Sequence, residues 1–77
     1  MIPYILFEMQ TNREGVTAHL PPLNFTDENE AFSAYYLKVG SAYISQVYMH
    51  TVMLCTADGR CIDSKCIMHN INGEGEE

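Results

Sequence analysis

The sequence predicts a single α+β domain with the order β-β-α-β-β, in which one helix packs on one face of a four-stranded antiparallel sheet. Three observations carry this prediction. Apolar residues recur at helical spacing within residues 27 to 47, and the stretches on either side alternate as strands do. An Asp58-Gly59 pair separates the last two strand-like stretches, and Asp-Gly is a frequent hairpin turn.

The first strand is predicted over residues 2 to 11. Its side chains fall into two sets that point to opposite faces of the sheet: Ile5, Phe7 and Met9 in one, and Tyr4, Leu6 and Glu8 in the other. A turn over residues 12 to 15 leads into a short second strand over residues 16 to 20. Pro21-Pro22 ends that strand, because proline has no N–H to donate to the ladder.

The helix is predicted over residues 27 to 47. It begins with a capping box, in which the Asp27 carboxylate accepts a hydrogen bond from the backbone N–H of Glu30. We expect Gly40 to mark close packing of the helix on the sheet, with a hinge as the alternative. An apolar stripe should face the sheet, widened by Tyr35 and Ala42; its main residues are Phe32, Tyr36, Val39, Tyr43 and Val47.

Residues 47 to 56 and 61 to 69 are the last two strands. The first of these is apolar on both of its faces, as a strand covered on both sides should be. One helix covers one face only, so the other face needs a second cover, and a twofold dimer is the commonest one. The residues predicted for this self-association are Tyr4, Leu6, Tyr48, Val52 and Leu54.

Composition limits the setting of the protein. The domain is predicted over residues 1 to 69, and residues 70 to 77 lose all apolar pattern and should form a flexible acidic tail. No secretion signal and no run of about 20 apolar residues, the length that spans a bilayer, is visible. Three cysteines, an odd number, argue against a secreted disulfide scaffold. We therefore expect a cytosolic protein with reduced thiols and no membrane contact.

The formal charge of −6, from ten acidic and four basic residues, argues against direct nucleic-acid binding. Proteins that bind phosphates need clustered basic side chains, and the four here are scattered. Asp27, Glu28 and Glu30 form an acidic cluster at the start of the helix. They either complement the helix dipole or form a surface for a basic partner protein.

The histidines and cysteines do not predict a metal site, a cofactor or an enzyme. The spacings among His50, Cys55, Cys61, Cys66 and His69 are irregular, whereas zinc sites use short fixed pairs. Cys61 and Cys66 differ by five positions, so on a regular strand they face opposite ways. No serine–histidine–aspartate pattern and no nucleophile with a nearby base is visible. The cysteines are expected to act as small apolar residues.

Three stretches together resemble a known group: YILFEMQTN near the start, DENEAFSAYYLKVGSAYISQV through the helix, and HTVMLCTADGRCIDSKC at the hairpin. Over residues 4 to 69 the chain resembles small acidic proteins encoded in prophages and gut Firmicutes genomes. The group is largely uncharacterised, so the resemblance implies a genomic setting and no activity. Those relatives carry an alanine run where this chain has Gly40-Ser41-Ala42-Tyr43.

We therefore expect a phage-borne binding protein that inhibits a host antiviral defence complex, in the manner of anti-CRISPR proteins, by contacting a host protein with a basic surface. The acidic cluster at residues 27, 28 and 30 is the expected contact. One alternative is an oligomeric small-ligand binder that sequesters a nucleotide signal, with Arg13 and Arg60 contributing across an interface. Another is an accessory protein of phage structure or assembly.

Overall fold

The computed structural model describes residues 2 to 69 and confirms the α+β class. The predicted tail at 70 to 77 lies outside these residues. The sheet has five strands instead of the predicted four, because residues 23 to 25 also pair with the first strand. The elements are β1 (Tyr4–Thr11), β2 (Thr17–His19), β3 (Leu23–Phe25), α1 (Glu28–Ile44), β4 (Met49–Thr56) and β5 (Cys61–Met68).

All pairings in the sheet are antiparallel, and β1 and β4 form its centre. They pair along their full length, from Tyr4 opposite Thr56 to Thr11 opposite Met49. β5 lies outside β4, and the other edge of β1 is shared by β2 and β3. Pro21-Pro22 separates these two short strands, because neither proline can donate to the ladder.

Both predicted turns are present and each places a glycine at positive φ. Gly15 has φ 88° in the turn between β1 and β2, and Gly59 has φ 98° in the hairpin between β4 and β5. This region of backbone space is open to glycine at little steric cost. The hairpin is closed by a hydrogen bond from the Gly59 N–H to the Thr56 carbonyl at 2.9 Å.

The helix begins as predicted and ends earlier. The Asp27 carboxylate accepts from the Glu30 N–H at 2.9 Å, which confirms the predicted N-cap. The last helical residue is Ile44, whereas the prediction ran to residue 47. Ser45 leaves the helical conformation, with ψ 165°, and its hydroxyl accepts from the Val47 N–H. None of residues 2 to 69 belongs to a helix with the length and apolarity that a membrane span requires.

The predicted helix stripe is correct in part. Tyr35 and Ala42 are buried against the sheet, as is Ala31, and Phe32 and Val39 pack against the same core. Tyr36 and Tyr43 are exposed, so the prediction is wrong for these two. α1 carries apolar residues on two sides, so periodicity alone did not separate the inner tyrosine from the outer ones. Two alanines allow α1 to lie close to the sheet.

Gly40 does not mark close packing of the helix on the sheet. It is exposed, and a Cβ built there would have no atom of the chain within 4 Å. The position faces away from β1 and β4. Within the described residues, packing therefore gives no reason for a glycine in the middle of α1, where it costs about 1 kcal/mol relative to alanine.

The prediction that the self-association residues lie opposite the helix is also wrong for Leu6, Val52 and Leu54, and Tyr4 lies on the same side of β1 as Leu6 and packs against the same core. Leu6, Val52 and Leu54 are the largest fully buried side chains, and they form the core beneath α1 together with Ile67. The charged Glu8 shares their face of β1, and a charge in a strand usually marks the solvent side. Here Glu8 is itself buried, so the two faces were exchanged in the prediction.

Candidate functional site

The sheet face opposite α1 is the candidate binding surface. We call it the methionine face, and its apolar members are Ile5, Phe7, Met9, Met49, Met53 and Met68. They alternate with the core residues along β1 and β4, so they point away from the helix. Across residues 2 to 69, no helix or strand packs on this face.

The strand register makes these side chains contiguous. Phe7 lies opposite Met53, and Met49 lies opposite Met68. Met9 lies opposite Thr51, which places it diagonal to both Met49 and Met53. All four methionines found between residues 2 and 69 therefore lie on one surface.

The polar members of the methionine face are uncharged. They include the hydroxyls of Thr11, Thr51 and Ser64 and the thiols of Cys55 and Cys66. Thr51 donates a hydrogen bond to the Cys66 sulfur at 3.5 Å, and the hydroxyls of Thr11 and Thr17 lie 2.8 Å apart. The charged side chains of the three long strands lie on the helix side or outside this face. The surface is therefore uncharged and mainly apolar, with a few hydroxyl and thiol groups among its apolar side chains.

Tyr4 and Tyr48, the two other residues predicted for self-association, have separate surroundings. Tyr4 is half-buried and packs against the core. Tyr48 precedes β4, and the Arg13 guanidinium lies over its ring at 5.0 Å from the centroid, a cation–π contact. The five predicted residues therefore do not form one surface. Self-association itself stays a prediction.

Glu8 is the centre of a buried polar network that sequence reasoning missed. Its Oε2 lies 2.6 Å from His50 Nε2, and its Oε1 lies 2.9 Å from Lys38 Nζ. Burial alone would raise the pKa of Glu8. The hydrogen bonds and charges of Lys38 and His50 outweigh burial, and the pKa lies below its ordinary value. Glu8 is therefore ionised at neutral pH, and the His50 Nε2 donates to it.

The network continues from His50 to the end of α1. His50 Nδ1 and Ser45 Oγ share a hydrogen bond of 3.2 Å. Glu8, Lys38, His50 and Ser45 thus tie β1, β4 and the helix together. A sequence signal for this network was present. Glu8 is two positions from the core residue Leu6, and His50 is two and four positions from Val52 and Leu54, so each shares a strand face with core residues. Charged or titratable residues in phase with core residues can indicate an internal pair.

Ser45, His50 and Glu8 are connected in series, the connectivity that serine hydrolases use. Their position does not suit that chemistry. Ser45 caps the C-terminal end of α1, where the unpaired carbonyls concentrate partial negative charge. An oxyanion formed there would meet repulsion instead of the N–H donors that stabilise it in hydrolases. His50 is also only 2% exposed. The network suits a structural role.

The cysteines and histidines of the described part of the chain form no candidate metal site. Between residues 2 and 69, no group of three or more His, Cys, Asp and Glu side chains is placed to hold a metal ion. A register shift at Leu54 and Cys55 interrupts the strict alternation assumed for β5, and it pairs Cys55 with Cys61. Burial, with the nearby Cys61 thiol, raises the pKa of Cys55. That thiol therefore stays protonated at neutral pH.

The acidic cluster occupies the N-terminal end of α1. Asp27, Glu28 and Glu30 are all exposed, and the Asp27 carboxylate is engaged in the helix cap. The cap accounts for Asp27 structurally. Glu28 and Glu30 lie in the first turn, where negative charge complements the helix dipole.

A groove lies beside the end of α1, between the β1–β2 turn and the segment that leads into β4. Its volume is about 520 Å³. The Arg13–Tyr48 pair forms part of its wall, and amide side chains from Gln10 and Gln46 also line it. This combination offers a positive charge, an aromatic ring and hydrogen-bonding groups to a small molecule.

Comparisons of the chain with protein-family models, with curated proteins and with solved structures find no match. The surfaces described above therefore carry the functional proposal.

Proposed function

We propose that this protein acts by binding another protein, and that the methionine face is the contact surface. The observation that carries this proposal is the gathering of Met9, Met49, Met53 and Met68 on one uncharged sheet face. Methionine is flexible and polarisable, so it adapts to the shape of a partner. Depletion of charged residues is typical of the centre of protein interfaces.

The partner in this proposal is a host protein with a basic surface. It belongs to an antiviral defence complex that binding blocks, as anti-CRISPR proteins do, in the cytosol of a phage-infected bacterium. The resemblance to prophage-encoded acidic proteins supports this setting. The exposed cluster of Asp27, Glu28 and Glu30 supports the choice of a basic partner, because acidic residues speed encounter with a basic protein. The methionine face supplies the buried contact.

Co-purification from host cells tests the proposal. Three tagged proteins are compared: the natural chain, Met53→Glu on the methionine face, and Ala57→Glu in the exposed hairpin turn. Both variants add one negative charge, so they differ only in the position of that charge. We expect one host protein to bind the natural chain and Ala57→Glu, and to be lost from Met53→Glu, because burying an unpaired carboxylate is unfavourable.

The functional readout is phage infection of cells that carry the defence complex. The natural chain and Ala57→Glu should restore infection, and Met53→Glu should not. Met68→Glu, at a more exposed edge position of the same face, provides a second variant with less risk to folding. Equal recovery of the host protein by all four chains would contradict the proposal. Recovery of virion proteins instead would favour an accessory role in phage assembly.

A second candidate function is small-ligand binding, and the groove beside Arg13 and Tyr48 favours it. A nucleotide signal would place its base against the groove wall and its phosphate near the Arg13 guanidinium. Mass spectrometry of the protein purified from host cells under non-denaturing conditions tests this function. A bound nucleotide that is lost in Arg13→Ala and kept in Arg60→Ala would favour the ligand binder.

A further inference from the structure

The outer side of α1 is a second apolar surface, separate from the methionine face. Leu37 is 73% exposed and Ile44 is 84% exposed, and Tyr36 and Tyr43 beside them are also more than half exposed. A soluble helix normally carries charged or polar residues on its outer side. Here four large exposed side chains of α1 are apolar or aromatic.

These residues form one stripe. At 100° per residue, Leu37, Gly40 and Ile44 lie on the same line along the helix. That line is opposite the buried side chains Ala31, Tyr35 and Ala42. We call Leu37, Gly40, Ser41 and Ile44, with the flanking tyrosines, the outer helix stripe.

Gly40 is at the centre of this stripe and is unexplained by the packing of the chain itself. Glycine in a helix interior lowers the equilibrium constant for folding by about fivefold relative to alanine. A Cβ at this position would have no neighbour within 4 Å, so close approach inside the chain does not require a glycine. Close approach by another chain would require it.

We propose that a second copy of this chain packs on the outer helix stripe, with the two α1 helices antiparallel and crossing between Gly40 and Ser41. The proposal is independent of the function proposed above, which uses the opposite side of the molecule. A twofold axis at this point places Leu37 of each copy against Ile44 of the other. Glycine at the crossing allows the two backbones to approach closely.

Charge favours a second copy as the occupant. Between Ser33 and Ile44 the only charged side chain of α1 is Lys38, and it turns inward to Glu8. Two acidic chains can therefore meet here without placing like charges together. In the antiparallel arrangement the two acidic helix starts lie about 37 Å apart, at 1.5 Å per residue from the crossing. That is several times the screening length of about 8 Å at physiological salt.

The available area also suits a small dimer. The four exposed large side chains of the stripe present about 500 Å² per copy, from typical side-chain areas of 150 to 250 Å². Two copies would bury about 1,000 Å², which reaches the lower limit for a specific interface. The stripe is also near the upper end of apolar patches on ordinary monomers.

Sedimentation velocity over a concentration series tests the proposal. We expect the natural chain to approach twice the 8.7 kDa monomer mass at high micromolar concentration. Ile44→Glu should stay monomeric, whereas Ala57→Glu and Met53→Glu should dimerise as the natural chain does. Circular dichroism checks that each variant is folded. A monomeric natural chain would overturn the proposal, as would dimerisation lost in Met53→Glu and kept in Ile44→Glu, which would place the interface on the sheet.

Three further variants test the geometry of the crossing: Leu37→Lys, its combination with Ile44→Glu, and Gly40→Ala. Leu37→Lys and Ile44→Glu should each weaken dimerisation at least about tenfold, and the double variant should recover most of it. The two substituted residues meet only between copies, because seven positions separate them along one helix. Gly40→Ala should weaken dimerisation while it stabilises the Ile44→Glu monomer by about fivefold in the folding equilibrium. Dimerisation that is unchanged in Gly40→Ala, or no recovery in the double variant, would contradict an antiparallel crossing at this residue.

Discussion

Glu8 depends on its two partners to remain charged on the buried side of β1. Lys38 reaches it from the helix and His50 from β4, so the carboxylate is paired on both oxygens. A buried carboxylate that loses its partners is strongly destabilising, and an amide in its place has no charge and only one acceptor oxygen for Lys38 and His50. The stability of the domain should therefore respond to changes at this residue.

We predict that Glu8→Gln lowers the free energy of unfolding by about 3 kcal/mol at neutral pH. The pKa of Glu8 is lowered in the folded state, so its contribution is complete above the ordinary glutamate pKa and is lost as pH falls through the folded value. Urea unfolding from neutral to acidic pH measures both effects. The loss caused by Glu8→Gln should shrink at acidic pH.

Glu14→Gln is the control, because Glu14 is an exposed glutamate of the turn after β1. Its unfolding curves should match those of the natural chain across the pH range. If Glu8→Gln is equally harmless at neutral pH, the buried network contributes nothing to stability and the interpretation is wrong.

The phenol of Tyr35 is buried in the core, and its ionisation can be measured. Burial, together with the neighbouring Asp63 carboxylate, raises the pKa of Tyr35 to about 12. A raised pKa means that the folded state prefers the neutral phenol, so this stability is present below pH 10.0 and is lost as pH rises toward 12. Ultraviolet absorbance during alkaline titration should show one tyrosine ionising after the others.

Tyr35→Phe should remove that late ionisation and leave the earlier ones unchanged. Tyr36→Phe, at the exposed neighbour, should keep the late ionisation. If Tyr35 ionises together with the exposed tyrosines in the folded protein, then it is not held in the core.

At the scale of elements, the helix shows what periodicity can and cannot predict. Its existence and its Asp27 cap followed from the sequence, because capping depends on local hydrogen bonds. Its inner face followed only in part, because apolar residues occur on both sides. The alanines at 31 and 42 pack on the sheet, while the larger Tyr43 is outside. Close packing of the helix on the sheet requires small residues at the contact, so the alanines face the sheet instead of the larger Tyr36 and Tyr43.

Substitution of Ala42 tests this assignment. Ala42→Leu inserts a larger side chain at a fully buried position and should lower the free energy of unfolding by about 1 to 3 kcal/mol. Ser41→Leu adds the same side chain to the exposed neighbour and should stay within about 0.5 kcal/mol of the parent. Both are measured by urea unfolding in the Ile44→Glu background, which separates folding from dimerisation. Equal effects of the two substitutions would show that the helix faces are assigned wrongly.

The sheet was also predictable only in part. The strands and the hairpin at Gly59 were predictable, because alternation and turn residues are local signals. The pairing of β3 with β1 was missed, since three residues are too few to show a period. The two sheet faces were exchanged because β1 and β4 carry apolar residues on both faces, and Glu8 is buried on the helix side. Its partners come from distant positions 38 and 50, and only the tertiary fold brings them together.

At the scale of the whole molecule, charge is divided between the domain and the chain end. Of the ten acidic residues, Glu74, Glu76 and Glu77 lie after residue 69, and the other seven stand against four basic residues. Residues 2 to 69 therefore carry −3, half of the formal −6. The helix-start cluster is the densest acidic group among them, so it is the place to test steering.

We predict that Asp27→Asn, Glu28→Gln and Glu30→Gln together slow association with a basic partner more than they speed dissociation. Asparagine keeps the capping role of Asp27, so folding is preserved. Association rates of the captured host protein, measured by stopped flow across a salt series, should show a weaker salt dependence for the triple variant. The same rates for both proteins would mean that these residues are a solvated surface without a steering role.

A nuclear magnetic resonance titration of methionine methyl groups tests most directly whether the methionine face is the contact surface. The protein is labelled on its methionine and isoleucine methyls, and the host protein captured by co-purification is added. We predict that the signals of Met9, Met49 and Met53 shift or broaden strongly, while that of Ile44, on the opposite side, does not. If binding changes the Ile44 signal and leaves the three methionine signals unchanged, the methionine face is not the contact surface.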